Sequence, residues 1–333
     1  MIGPEHLKLV GIRIAARMIP HPESISPEAR AIMTRMINAE GVSVNTMPLP
    51  PAQGDYDGWM ALKEQVDGVY AAAFAGIVSS QRASVETVMM GGAVVHVATP
   101  EITSLPHCAY MDLHGGALTF GGGDACRASA GLHADQHAVR CYRVDYRLPP
   151  EHPYPAALDD CVATYRALLS DYAPESIIVG GRSAGGNLAA ATLLRTKAEG
   201  LPLPTALVLL SPQVDLTESG DSLAVNAGLD VVLPQSLMAN NLLYAAGADL
   251  TVPFLSPLFG NLANFPPTLL LTGTRDLFLS NTVRMHRRLR DAGVAAELHV
   301  FEAMPHGGFG GTPEDTQAAN EVMRFVRAHW PRA

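Results

Sequence analysis

The chain has 333 residues, of which 48% are hydrophobic and 17% charged, and its net charge is −9 at pH 7. This length suits one large α/β domain with insertions, and the apolar content suffices for a sizeable core. The acidic balance excludes the basic surface that nucleic acids and anionic membranes require, so the expected partner is a small molecule and not a nucleic acid.

The first 60 residues are predicted to be mainly helical, in helices that end at Pro20, Pro22, Pro27 and the cluster Pro48-Leu49-Pro50-Pro51. Apolar residues recur at helical spacing from Leu7 to Ile19, but three cations, Lys8, Arg13 and Arg17, interrupt the stretch, unlike a signal peptide or a membrane span. We expect an amphipathic helix packed on the protein's own surface, with a membrane anchor as the alternative. The expected compartment is the cytoplasm, without stable membrane insertion.

Four widely spaced cysteines form no C-x-x-C motif: Cys108, Cys126, Cys141 and Cys161. In a chain of this size the spacing predicts buried, reduced thiols and not a disulfide framework.

The chain from residue 85 onward alternates between apolar strand-like runs and helical patterns. Val85–Met90 and Ala93–Ala98, separated by two glycines, predict an antiparallel hairpin. The later strands are predicted at Ala109–Leu113, Ala138–Tyr146, Ser176–Val179, Ala206–Leu210, Thr268–Leu271 and Glu297–Phe301. Helices are predicted between them at 123–136, 156–172, 185–199, 280–292 and 313–329. This alternation indicates an α/β fold in which a mostly parallel sheet is flanked by helices on both faces.

One segment between strands, Asp215–Thr251, is too long for a simple crossover and shows a helical pattern over Pro234–Ala246. We expect it to form a helical cap together with the N-terminal helices, over the edge of the sheet where ligands bind. The predicted division is an N-terminal cap segment at 1–60 and a catalytic domain at 61–333, with a cap insertion at about 215–251.

The strongest chemical signal is a G-x-S-x-G motif placed between a β-branched strand and a helix of small residues: Gly181-Arg182-Ser183-Ala184-Gly185. In this context the motif predicts a sharp turn that strains the serine backbone and exposes its Oγ at a helix N-terminus. Side chains at either glycine would collide with the neighbouring strand or helix. Ser183 is therefore the candidate nucleophile.

A second motif, His114-Gly115-Gly116-Ala117, directly follows the strand Ala109–Leu113. Glycines can turn their backbone N–H groups toward a tetrahedral oxyanion, which needs donors already aimed at it. Gly115, Gly116 and Ala184 are the candidate donors. His114 is interpreted as a brace for this loop and not as a base.

A serine nucleophile needs a base, and the base needs a carboxylate that holds its tautomer. Asp276 follows the strand Thr268–Leu271 and His306 follows the strand Glu297–Phe301, so both fall on loops at the edge that carries Ser183. The alternative for Asp276 is a simple helix N-cap. The rival candidates are weaker because they fall within helix or strand patterns or within the insertion: His286, His299, Asp215, Asp230 and Asp249.

These motifs resemble the bacterial hormone-sensitive-lipase-like esterases of the α/β-hydrolase superfamily. Two longer stretches carry the resemblance further: Asp145-Tyr-Arg-Leu-Pro-Pro-Glu-His-Pro-Tyr-Pro-Ala156 and Leu210-Ser-Pro-Gln-Val-Asp-Leu-Thr217. The resemblance covers about residues 80–330. It implies hydrolysis of short to medium carboxylic esters by Ser183, Asp276 and His306, without a cofactor or a metal, and often a homodimer.

The chain departs from the family pattern at two positions. Ala117 stands where the family usually has a third glycine, and its methyl group is expected to narrow the pocket or to alter the loop. Arg182 stands where the family usually has an aspartate before the serine. We expect Arg182 to pair with an acidic neighbour, and the alternative is that it recognises a carboxylate on the substrate.

Other signals are interpreted as structural. Gly121–Asp124 lacks the residues of a phosphate-binding loop, and His133 and His137 have metal-ligand spacing but are expected to be plain helix residues. Two other functions remain open: a lactone or alicyclic-ester hydrolase with the same triad, and a non-catalytic binding protein of this fold, like the plant gibberellin receptors. Those receptors lack the histidine, whereas His306 is present here.

Overall fold

The computed structural model describes residues 11–12, 15–45, 48–78 and 81–331. Its centre is an eight-stranded sheet of order β1-β2-β4-β3-β5-β6-β7-β8. The strands are β1 Ser84–Met90, β2 Ala93–Thr99, β3 Ala109–Leu113, β4 Arg140–Asp145, β5 Ile177–Arg182, β6 Ala206–Leu210, β7 Thr268–Gly273 and β8 Ala296–Phe301. Strand β2 runs antiparallel to both its neighbours, and β3 to β8 are parallel. The α/β-hydrolase prediction and the hairpin are confirmed.

The helices of the described chain are α1 Pro27–Arg35, α2 Tyr56–Val78, α3 Asp124–Ala128, α4 Gly131–His137, α5 Ala156–Asp171, α6 Ala184–Ala198, α7 Ser222–Val225, α8 Met238–Ala245, α9 Leu279–Asp291 and α10 Pro313–His329. Short 3₁₀ turns occupy Pro174–Ser176 and Pro257–Phe259. Each helix of the described residues is too short or too polar to cross a bilayer.

The sheet separates two apolar cores, because successive side chains of a strand point to opposite faces. In β3, Met111 and Leu113 lie in the core formed with α5, α6 and α9, whereas Tyr110 lies in the core formed with α1, α4 and α10. Every residue of β3, β6 and β7 is buried. This double burial explains why these strands are continuous apolar runs in the sequence.

The prediction of a mainly helical N-terminal segment is wrong for the described residues. Only α1 and the start of α2 are helical before residue 60, because prolines interrupt the chain and the Asn38 side chain accepts N–H groups of its own turn. Part of the predicted helix at 7–19, including Leu7, Val10 and Ile14, lies outside the described residues. Met18 lies in non-helical chain and is exposed.

The single helix predicted at 123–136 is divided into α3 and α4. The Ser129 hydroxyl donates to the carbonyls of Ala125 and Cys126, at 3.1 and 3.2 Å, and such side-chain bonds compete with helix continuation. The four cysteines are buried and unpaired, as predicted.

A third apolar cluster joins α2, the insertion and two loops at the carboxyl edge of the sheet. Its buried members are Trp59, Ala117, Phe120, Leu233, Leu237, Leu277 and Phe278. The N-terminal segment also bonds directly to the insertion, since Ser43 Oγ donates to the Val231 carbonyl at 3.1 Å and Gln53 Nε2 to the Ala239 carbonyl at 2.9 Å. These contacts join the N-terminal segment to the insertion, and helix α2 extends well past residue 60.

Candidate active site

Ser183 occupies the sharp turn between β5 and α6, with φ 56° and ψ −120°. A Cβ at Gly181 would lie 2.2 Å from the Gly185 carbonyl oxygen, and one at Gly185 would lie 1.9 Å from the Leu113 carbonyl oxygen. Only glycine therefore fits at positions 181 and 185. The local sequence thus fixes the strained serine at the carboxyl edge of the sheet.

His306 lies between Ser183 and Asp276. Its Nε2 lies 3.0 Å from Ser183 Oγ, and its Nδ1 lies 3.0 Å from Asp276 Oδ1. An ionised carboxylate only accepts hydrogen bonds, so Nδ1 carries the proton and Nε2 is free to accept the serine hydroxyl proton. The three sequence-predicted residues are thus brought together in the arrangement of a nucleophile, a base and an orienting acid.

Asp276 is fully buried and has several hydrogen-bond donors around it. Thr272 Oγ1 donates to Oδ2 at 2.7 Å, and the Phe278 N–H donates to Oδ1 at 2.8 Å. Burial alone raises the pKa of the Asp276 carboxyl, but the His306 charge and the hydrogen bonds from His306, Ser211 and Phe278 outweigh burial and lower it. The assigned N-cap of α9 is Phe278, and the Asp276 carboxylate contacts the His306 ring besides accepting the Phe278 N–H, so it does more than cap the helix.

The His306 imidazole is largely buried, and its ring lies at 84° to the Phe278 ring, with 5.0 Å between the ring centroids. Burial alone lowers the pKa of His306, but the Asp276 charge and hydrogen bond outweigh burial and raise it above the usual value. A stabilised imidazolium is what a base needs after it has taken a proton.

The loop after β3 brings Gly115 against the serine. A Cβ on Gly115 would lie 3.3 Å from Ser183 Cβ, and one on Gly116, whose φ is 132°, would lie 2.0 Å from the Phe120 carbonyl oxygen. Ala117 also has a positive φ, 54°, which explains why glycine is the usual residue there. Ala184 is the first residue of α6, where its N–H has no partner within the helix.

His114 braces the glycine loop by a hydrogen bond to its main chain, in keeping with the sequence interpretation. It is buried, stacks on Tyr146 at 4.0 Å between ring centroids, and its Nδ1 lies 2.8 Å from the Gly115 carbonyl oxygen. Burial lowers the pKa of His114 to about 4, so the ring is neutral near pH 7. Because a trans peptide points its C=O and N–H in opposite directions, this bond also orients the Gly116 N–H.

Arg182 does not pair with an acidic neighbour, which corrects the prediction. Its Nη1 donates to the Gly307 main-chain carbonyl, and none of the ion pairs found among the described residues includes it. The physical reason is the turn: β5 ends at Arg182 beside the His306 loop, whose carbonyl lies within reach. Arg182 therefore has a structural role, but its partner is the Gly307 carbonyl and not an acidic side chain.

From the sequence, Asp230 is only a weaker alternative to Asp276 as the acid that orients the base. In the structure it lies beside His306. The His306 main-chain N–H donates to Asp230 Oδ1 and Oδ2 at 3.2 and 3.1 Å. No sequence motif marks this residue, because its partners are main-chain groups that every residue carries.

Two triplets among the described residues place metal-ligand atoms within 4.8 Å of one another. The atoms of Asp230, Asp276 and His306 already have hydrogen-bond partners. In the triplet of His114, Cys126 and Asp145, burial raises the pKa of the Cys126 thiol far above its usual value. This thiol therefore stays protonated in the metal-free protein.

Comparison with known proteins places the chain in a family. A family model described as alpha/beta hydrolase fold matches residues 110–309. An esterase of Acinetobacter venetianus is 34% identical over 195 residues, which are 58% of this chain and 64% of that protein. The esterase LipI of Mycobacterium tuberculosis is 31% identical over 240 residues, or 68% of this chain and 74% of that protein.

Solved structures agree over nearly the whole chain. The crystal structure of an esterase named E25 has a TM-score of 0.86 and 34% identity, and the match covers 96% of this chain and 99% of that one. An esterase from the bacterial hormone-sensitive lipase family has a TM-score of 0.76 at 29% identity, with 92% and 100% covered. The sequence match to the Acinetobacter esterase, in contrast to these structural matches, covers slightly less than two thirds of that protein's length. The chain belongs to the α/β-hydrolase family, as its motifs predicted, and it is similar to an esterase of the bacterial hormone-sensitive lipase family.

Proposed function

We propose that this protein is a carboxylesterase that hydrolyses short to medium acyl esters through an acyl-enzyme on Ser183. The single observation that carries the proposal is the continuous set of contacts from Ser183 Oγ through His306 to Asp276, with 3.0 Å at each of its two steps. It needs no cofactor, because a polarised hydroxyl, a base and oxyanion donors suffice for acyl transfer.

The reaction has two halves of the same form. Ser183 Oγ bonds to the ester carbonyl carbon while its proton passes to His306 Nε2, and the oxyanion is bound by the N–H groups of Gly115, Gly116 and Ala184. The C–O bond to the alcohol then breaks, and His306 gives its proton to the leaving oxygen. Water repeats the sequence on the acyl-enzyme and releases the acid and the free serine.

The surroundings of the site favour an apolar ester. Phe278 lies against the His306 ring, and it belongs to the apolar cluster that also contains Ala117, Trp59 and Leu237. We propose that α2 and the insertion act as the cap that encloses the acyl or alcohol part there. The cytoplasmic location and the homodimer stay predictions.

Hydrolysis of p-nitrophenyl esters with two to twelve acyl carbons tests the proposal, beside a panel of lactones and alicyclic esters. We expect the highest kcat/KM on short to medium acyl esters. A preference for lactones would indicate the alternative enzyme. A folded protein that hydrolyses no ester and does not react with a fluorophosphonate at Ser183 would indicate a binding protein of this fold.

A further inference from the structure

Asp230 is a fully buried carboxylate in the insertion, and it lies against the main chain of His306. It belongs to none of the ion pairs found among the described residues. Burying a carboxylate without a cation is costly unless hydrogen bonds compensate. Its hydrogen-bond partners supply part of that compensation, and burial still raises the pKa of the Asp230 carboxyl above its usual value.

Those partners are main-chain N–H groups from three separate segments. Besides His306, the Leu277 N–H donates to Oδ2 at 2.8 Å, and the N–H groups of Val232 and Leu233 donate to Oδ1 at 3.0 Å each. One carboxylate thus joins the loop of the base, the loop that carries Asp276, and the insertion itself.

We propose that Asp230 is a positioning residue that fixes the His306 loop against the Asp276 loop and links both to the cap insertion. This inference rests on the proposed esterase function. Asp276 holds only the ring of His306 through Nδ1, so rotation of the main chain would still displace Nε2 from Ser183. The bond from the His306 N–H to Asp230 removes that freedom.

The same carboxylate adds a second negative charge near the base. Asp230 contributes to the raised pKa of His306, after the larger contribution of Asp276. Arg182 acts in the opposite direction and lowers that pKa. Removing the Asp230 charge should therefore lower the pKa of His306 and, with it, the pH at which activity is lost on the acid side.

The test compares Asp230→Asn, Asp230→Glu and a control, Asp215→Asn, on the full chain with p-nitrophenyl butyrate. Asn keeps the size of the side chain, so the test does not depend on Asp230→Ala folding. Asp215 is also buried in the insertion and accepts bonds from Thr217, Ser219 and Arg284, but none of its bonds reaches the triad. All variants are assayed where circular dichroism shows them folded.

For Asp230→Asn we expect kcat to fall about 10- to 100-fold with KM within a factor of about three, because the base is misplaced and substrate binding is not. The acid limb of kcat/KM should move to lower pH. Asp230→Glu keeps the charge and should keep the limb near its original pH, and Asp215→Asn should keep both kcat and the limb.

Two outcomes would overturn the inference. One is an Asp230→Asn variant with unchanged kcat and pH profile in a protein whose wild type hydrolyses the ester. The other is an equal loss in Asp230→Asn and Asp215→Asn without a shift of the limb, which would indicate a general effect on the fold. A wild type that does not hydrolyse esters would instead contradict the proposed function.

Discussion

Arg182 Nη1 donates a hydrogen bond to the carbonyl oxygen of Gly307, the residue that follows His306. The His306 loop is thereby held on both sides, since Asp230 accepts the N–H of His306 itself. The residue before the nucleophile thus contacts the loop of the base, although 125 positions separate them in sequence.

Replacing Arg182 with alanine should lower kcat/KM about tenfold, because the loop loses one anchor. The acid limb should move to higher pH, since the nearby cation lowers the pKa of His306 and its removal favours the imidazolium. This direction is opposite to that expected for Asp230→Asn. Steady-state kinetics between pH 5 and 9 measure it, with the surface variant Arg324→Ala as a control.

The same variant decides between the two interpretations of Arg182. We expect equal losses on neutral esters and on monoesters of dicarboxylic acids, because the guanidinium binds the protein's own carbonyl. A loss confined to the anionic esters would instead assign Arg182 to substrate recognition.

The raised pKa of His306 predicts where activity is lost at low pH. The base must be neutral to accept the serine proton, so kcat/KM should fall as pH drops through a value above 6.5. Asp276→Asn removes the main cause of the rise, so its limb should move down while kcat falls about 10⁴-fold. Asp160→Asn, whose carboxylate binds Arg147 instead, is the control. An Asp276→Asn variant with unchanged kcat and an unchanged acid limb would refute the assigned role of Asp276.

Gly116→Ala tests the oxyanion loop. Its φ of 132° and the 2.0 Å approach of a Cβ to the Phe120 carbonyl oxygen mean that the loop must move. We expect kcat to fall about 10²- to 10³-fold, as when one oxyanion donor is lost. Gly200→Ala has a positive φ of 71° but open space around it, so it should cost stability without lowering kcat. Equal kcat in the two variants would contradict the donor role of this loop.

The meeting of the three candidate residues could be predicted because each of them follows a parallel strand. Ser183, Asp276 and His306 come after β5, β7 and β8, and the carboxyl ends of parallel strands lie at one edge. The glycine requirement at 181 and 185 likewise follows from the turn alone.

Asp230 and the partner of Arg182 could not be predicted, because both bind main-chain groups, which leave no pattern in the sequence. The apolar spacing of the N-terminal segment predicts more helix than the described residues form, because prolines interrupt the chain there. The break between α3 and α4 depends on the orientation of the Ser129 hydroxyl, which spacing does not reveal.

The central claim is that Ser183 Oγ is the nucleophile activated by His306, and the most direct measurement is kcat of Ser183→Ala on p-nitrophenyl butyrate. The account predicts a loss of at least about 10³-fold in a protein that remains folded, because only the oxyanion donors and substrate binding would remain. A folded variant that keeps more than about a tenth of the wild-type kcat would contradict it.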